Sequence, residues 1–136
     1  ADIIGPLIGR KKVLFACREN ACRSQMAGAF AQTLAGDKIE VVTGGSQPAE
    51  QVNPDMVTAM QEKGLDMAFR TPQHIESAIA ENRPEMIVTM GCGEACPVIP
   101  GVKIEDWDIP DPVGQLDSIM TDVRDESETR VKKLIN

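Results

Sequence analysis

The stretch Val13-Leu14-Phe15-Ala16-Cys17-Arg18-Glu19-Asn20-Ala21-Cys22-Arg23-Ser24 decides the fold. Its first five residues are apolar, with β-branched and aromatic members, and predict a buried strand. Residues 24–34 follow, where Met26, Ala27, Phe30, Ala31 and Leu34 recur at helical spacing. A strand therefore runs through a short loop into the mouth of a helix. Outward from there, a second strand is expected at 39–43, stopped by Gly44-Gly45. A helix is expected at 54–63, with Asn53 as its N-cap, Pro54 at its first position and Gly64 closing it. A short helix at 74–82 starts at the only histidine, His74. The apolar run 86–90 and the shorter run 103–107 predict two more strands, and a stripe of Ile119, Val123, Val131 and Leu134 predicts a helix at 117–134.

Continuous apolar strands alternating with helices indicate an α/β fold, a parallel sheet covered on both faces. The expected architecture is a single-domain three-layer sandwich with a four-stranded parallel sheet. In such sheets ligands sit beyond the C-terminal ends of the strands. The loop after the first strand is where chemistry is expected.

Composition narrows the function. A chain of 136 residues is one ordinary domain, taken here as 1–136 with residues 1–11 as an N-terminal extension. Fourteen basic and 21 acidic residues leave a net charge of −7, and Arg10-Lys11-Lys12 is the longest basic run. No nucleic acid and no membrane partner is expected of such a chain. Its apolar stretches are too short to span a bilayer. Residues 1–4 carry neither a basic n-region nor a full hydrophobic region, so no signal peptide is expected and the protein is placed in the cytoplasm; a monomer is expected, though no residue pattern argues for it. Four cysteines in that setting read as catalytic, redox-active or metal-binding rather than as a disulfide scaffold. With three Phe, one Trp and no Tyr, the chain is poorly equipped to stack on bases or wall in a ring-shaped substrate.

The Cys17 loop has a definite chemistry. Backbone N–H groups of residues 18–23 can curl around one anion, and the helix N-terminus adds partial positive charge. Arg23 offers a planar fork matching two oxygens of a tetrahedral oxyanion. The same field favours the thiolate of Cys17, and Ser24 is placed to donate a hydrogen bond to that sulfur. A buried strand cysteine without function remains the alternative for Cys17.

A second cysteine pair, Cys92 and Cys96, lies in Gly91-Cys92-Gly93-Glu94-Ala95-Cys96-Pro97, after the strand at 86–90. If that strand lies beside the first, two further thiols stand near an activated one. That is the arrangement of a thiol relay, in which one cysteine attacks an adduct on Cys17 and another resolves the disulfide. Zinc held by Cys17, Cys22, Cys92 and Cys96 is one alternative; an inert pair is the other. Asp106, Asp108 and Asp111 all stand in or beside the loop Asp108-Ile109-Pro110-Asp111-Pro112-Val113-Gly114, and each is a candidate general acid.

From Lys12 onward the chain resembles the low-molecular-weight protein tyrosine phosphatases, and more closely the arsenate reductases built on that fold. The resemblance rests on residues 13–27, 43–48, Val52-Asn53-Pro54, the pair Cys92 and Cys96, Asp106-Trp107 and Asp111-Pro112. It implies Cys17 as nucleophile, Arg23 as oxyanion clamp, Ser24 as stabiliser of the thiolate and Asn20 as keeper of the loop geometry. Arg18, Glu19, Ala21 and Cys22 complete the oxyanion-binding loop, with Cys22 open to a packing role. The Asp-Pro dipeptide selects Asp111 as the acid. In the phosphatase branch aromatic residues follow that dipeptide; here Val113 and Gly114 follow. The implied reaction is reduction of arsenate, or binding of a phosphate-like oxyanion, with no cofactor and no metal. Related reductases hold a potassium ion using an acid in the first helix, where this chain has Gly28. The implied reductant is thioredoxin or a small-molecule thiol. A phosphatase acting on phosphotyrosine or a small phosphate ester is the alternative enzyme, and a non-catalytic oxyanion sensor the alternative outside catalysis.

Overall fold

A computed structural model describes residues 11–91 and 99–135. Its elements run β1 (Lys11–Cys17), α1 (Arg23–Ala35), β2 (Ile39–Gly45), α2 (Pro54–Gln61), α3 (Ile75–Asn82), β3 (Met86–Met90), β4 (Lys103–Asp106) and α4 (Asp117–Ile135). The order of strands and helices is the expected one. All neighbouring strands pair in parallel, in the order β2-β1-β3-β4. β1 is thus central, and Cys17 at its end is level with Gly45 of β2 and Met90 of β3.

Central position explains the unbroken apolar run. Phe15 faces one side of the sheet, among Met26, Phe30, Met56, Met60, Met120 and Val123 from α1, α2 and α4. Leu14 and Ala16 face the other, among Val42, Ile87, Ile75 and Ala78, the last two from α3. The three-layer sandwich follows, with three helices on one face and one on the other. Phe15 and Leu14 are fully buried, each worth about 1.5–3 kcal/mol relative to exposure. Trp107 belongs to the larger core, 3% exposed with its ring centroid 5.9 Å from that of Phe15.

Element ends differ from the sequence reading in instructive places. β2 does not stop at Gly44-Gly45 but runs through both. A Cβ on Gly44 would lie 2.9 Å from the Ile75 Cα, and one on Gly45 would lie 2.7 Å from the Arg18 carbonyl oxygen. These glycines let α3 and the Cys17 loop approach the sheet; they do not turn the chain. α2 ends at Gln61, two residues early, and starts as expected, with the Asn53 side chain accepting from the N–H of Asp55 and Met56. His74 precedes α3 as its N-cap, Nδ1 accepting from the Glu76 N–H. Lys11 already belongs to β1. Among the described residues no helix is long and apolar enough to cross a membrane.

Candidate active site

β1 delivers Cys17 to the edge of a hollow lined also by Arg18, Glu19, Cys22, Arg23, Asp111 and Val113. The loop between β1 and α1 turns sharply because Asn20 takes a left-handed backbone, φ 53°, a conformation asparagine tolerates better than most residues. Asn20 is fully buried, and its side chain and carbonyl are both bonded. Its Nδ2 donates to Ser24 Oγ at 2.7 Å, its Oδ1 accepts from the Gln73 N–H at 3.0 Å, and its carbonyl accepts from Gln25 Nε2 at 3.0 Å.

Ser24 Oγ lies 3.0 Å from Cys17 Sγ. An amide Nδ2 can only donate, so it occupies a lone pair of that hydroxyl and leaves the Ser24 O–H free to point at the sulfur. Such a donor stabilises a thiolate. α1 starts at Arg23 with no acidic side chain in its first turn, so nothing on the helix itself neutralises its positive end.

The loop carbonyls are all turned outward. Those of Arg18, Glu19 and Ala21 accept from the N–H groups of Gln47, Ala49 and Asn53, that of Cys22 from Met26, and that of Asn20 from Gln25. In a trans peptide the C=O and N–H point in opposite directions. Outward carbonyls therefore turn the N–H groups of Glu19, Ala21, Cys22 and Arg23 toward the hollow. Asn20 is the exception, because its nitrogen packs on Gly45, where a Cβ would come within 2.8 Å. Among the described residues none of these five N–H groups has a protein acceptor.

Arg23 joins three segments. Its Nη1 donates to the Ile109 carbonyl at 3.1 Å, and its Nη2 lies 3.9 Å from Asp111 Oδ2. Its guanidinium also covers Gly91, where φ is +81° and any Cβ would collide with the guanidinium nitrogens. Only glycine fits there on both counts. Gly91 directly precedes Cys92 in the chain. Cys92 and Cys96 themselves lie outside the described residues.

Of the three candidate acids, Asp111 alone lines the hollow. It is held by accepting from the Val113 N–H at 3.1 Å, the turn expected of Asp before Pro. Asp106 instead accepts from Thr89 Oγ1 at 2.6 Å. Cys22 is 4% exposed and its Sγ–H donates to Met120 Sδ at 3.5 Å. Burial first, and then the negative charges of Cys17 and Asp111, push its thiol well above the ordinary value, with Arg23 only partly opposing them. Among the described residues no group of three metal-ligating side chains converges. At Gly28 a Cβ would meet the Thr43 methyl at 2.7 Å, so α1 packs closely on β2 there.

Sequence reasoning gives no site role to Gln25 or Gln73, and reads Gly45 as a strand stop and Gly91 as a source of mobility rather than as close contacts of the site. Gln25 is a polar residue beside the apolar stripe of α1, and only the structure shows it 1% exposed. Gln73 acts through its backbone and left no trace in residue type.

This loop, with its cysteine, arginine and outward carbonyls at the edge of a parallel sheet, defines a class, and the chain belongs to the low molecular weight phosphotyrosine protein phosphatase family, whose profile matches residues 12–136. Within that family the chain is similar to arsenate reductases. It is 38% identical over 127 residues to the glutaredoxin arsenate reductase of Synechocystis, covering 92% of this chain and 96% of that protein. It superposes on an arsenate reductase solved in a phosphate-binding state with a TM-score of 0.80 and 36% identity, over 92% of this chain and 96% of the other. A thioredoxin-dependent arsenate reductase of Corynebacterium glutamicum gives 0.78 and 29%, over 98% of this chain and 68% of that one.

Proposed function

We propose that this chain, a single domain acting as a cytoplasmic monomer, reduces arsenate to arsenite. The observation that carries the reading is the convergence of Cys17, Arg23 and Asp111 on one hollow, with Ser24 Oγ 3.0 Å from the Cys17 sulfur and loop N–H groups that have no protein acceptor among the described residues. Arsenate is a tetrahedral oxyanion that such N–H groups and the Arg23 fork can hold. Cys17 Sγ attacks arsenic, and Asp111 gives its proton to the oxygen that leaves as water. The product is a Cys17 thioester of arsenic(V). A thiolate, assigned to Cys92, then attacks Cys17 Sγ. A disulfide forms, the sulfur–arsenic bond breaks, and its electron pair stays on arsenic, which leaves as arsenite. Cys96 attacks Cys92, frees Cys17 and moves the disulfide to the 92–96 pair. An external dithiol supplies the two electrons that restore it.

Position supports the relay. β3 lies directly beside β1, and the chain leaves it at Gly91 against the Arg23 guanidinium. Cys92 is the next residue. The donor is a thiol-disulfide protein, thioredoxin or a glutaredoxin with its small-molecule thiol; the relatives' names include both kinds. A reaction that consumes reduced thiols suits a reducing compartment.

The deciding measurement is arsenate-dependent turnover with thioredoxin and with glutaredoxin plus glutathione, run side by side. Cys92→Ser is expected to stop multiple turnover while permitting one attack on arsenate. Cys96→Ser is expected to trap the Cys17–Cys92 bridge, visible by mass spectrometry without reductant. Efficient hydrolysis of aryl phosphates with no arsenate reduction would establish the phosphatase instead. The loop after Asp111-Pro112 speaks against that outcome, since Val113 and Gly114 offer no aromatic grip on a phosphotyrosine ring.

A further inference from the structure

We infer that Gln25 is a positioning residue of the oxyanion loop: its side-chain amide fixes the Asn20–Ala21 peptide so that the Ala21 N–H faces the hollow. The inference rests on the reading of the loop as an oxyanion site. Five consecutive loop carbonyls, from Arg18 to Cys22, are tied on the outer side of the loop. Four are tied by main-chain N–H groups, which no substitution short of proline removes. Only the Asn20 carbonyl is tied by a side chain, Gln25 Nε2 at 3.0 Å.

That carbonyl belongs to the most demanding peptide in the loop. It follows the left-handed Asn20, and both flanking residues are buried. A peptide plane can rotate in place through compensating changes in the ψ before it and the φ after it, leaving the chain path unchanged. Such a rotation would carry the Ala21 N–H away from the hollow and bring a carbonyl oxygen toward it. An oxygen there would repel an oxyanion where a donor should hold it. Gln25 opposes the rotation because a buried carbonyl that loses its donor is costly. The Asn20 side chain holds Ser24 and the Gln73 N–H from the other side of the same residue. Gln25 therefore acts on binding of the anion, through Ala21, more than on the Cys17 sulfur, which Ser24 serves.

The test uses inorganic phosphate as probe. Gln25→Met preserves length and volume but cannot donate. It is expected to weaken phosphate binding roughly 10-fold to 100-fold, the loss of one charge-assisted hydrogen bond. The KM for arsenate should rise by the same factor, with the rate of Cys17 alkylation by neutral iodoacetamide unchanged. A packing role alone would lower the melting temperature and leave phosphate affinity where it was, and that result would overturn the inference. A second measurement needs no variant. In the 15N-labelled wild type, saturating phosphate is expected to shift the Ala21 amide strongly and the Asn20 amide, packed on Gly45, much less. An Ala21 amide indifferent to bound phosphate would overturn the inference while leaving the oxyanion site standing. A wild type that binds no phosphate would remove both.

Discussion

The two walls of the hollow are built differently. On one side, Cys17, Asn20 and Ser24 are 2% exposed or less, and every carbonyl from Arg18 to Cys22 has a fixed outer partner. On the other, the Asp111 side chain is 55% exposed and rests on one turn hydrogen bond and a 3.9 Å approach to Arg23. The first wall is preorganised: its donors are aimed before any ligand arrives, so little reorganisation opposes charge developing there. The second is a proton source that must meet water between turnovers, and exposure suits that task. Holding is done by the buried wall and proton delivery by the open one.

Asp111→Asn attacks the open wall directly and carries the largest expected effect. Single-turnover loss of arsenate should slow roughly 10²-fold to 10⁴-fold, the usual cost of a lost proton transfer. Asp108→Asn, an exposed neighbour outside the hollow, should leave the rate near wild type. If Asp108→Asn does the damage and Asp111→Asn does not, the open wall has been assigned to the wrong carboxylate.

Arg23→Lys probes the seam between the walls. A lysine keeps the charge but cannot at once donate to the Ile109 carbonyl, approach Asp111 and cover Gly91. Turnover is expected to fall about 10²-fold to 10³-fold, the range for a lost oxyanion donor. Near-normal kcat/KM for arsenate in Arg23→Lys would mean that charge alone suffices and that the seam has no geometric role.

The same contrast explains what could be read without coordinates. The buried wall is local: Cys17, Arg23 and Ser24 lie within eight residues, and the apolar run before them fixes its place in the sheet. The order of strands and helices followed from the same periodicity. The open wall comes from about ninety residues away in sequence, and its three aspartates look alike in a string of letters. Resemblance to a family singled out Asp111; only the fold shows Asp106 occupied by Thr89. Gly44 and Gly45 misled because glycine marks both turns and close approaches, and spacing does not distinguish them. Gln73 and Gln25 were missed because they act on the backbone of the loop, where residue type says little.

The smallest expected effect lies wholly inside the buried wall and separates its two thiols. Both residues line the hollow, but the Cys17 sulfur meets the Ser24 hydroxyl whereas the Cys22 sulfur is packed on Met120 Sδ. Burial, reinforced by the charges of Cys17 and Asp111, raises the pKa of Cys22 above its ordinary 9.0. Below pH 9.0 the thiol is protonated in the folded and unfolded chains alike and adds no pH dependence. Above it the unfolded chain releases a proton that the folded one retains, so the unfolded state binds fewer protons and stability falls as pH rises. The loss attributable to Cys22 approaches about 1.4 kcal/mol per pH unit. Urea unfolding of wild type and Cys22→Ala, followed from below to above pH 9.0, should therefore give curves that converge. Cys22→Ala starts less stable, because a buried sulfur has been removed, and loses less as the pH climbs. Parallel curves would mean that Cys22 ionises as readily in the folded protein as outside it. In that case the wall holds two available thiolates, and Cys22 would compete with Cys92 for the Cys17 adduct. Converging curves leave Cys22 a protonated packing residue and assign the second thiol of the reaction to the segment after Gly91.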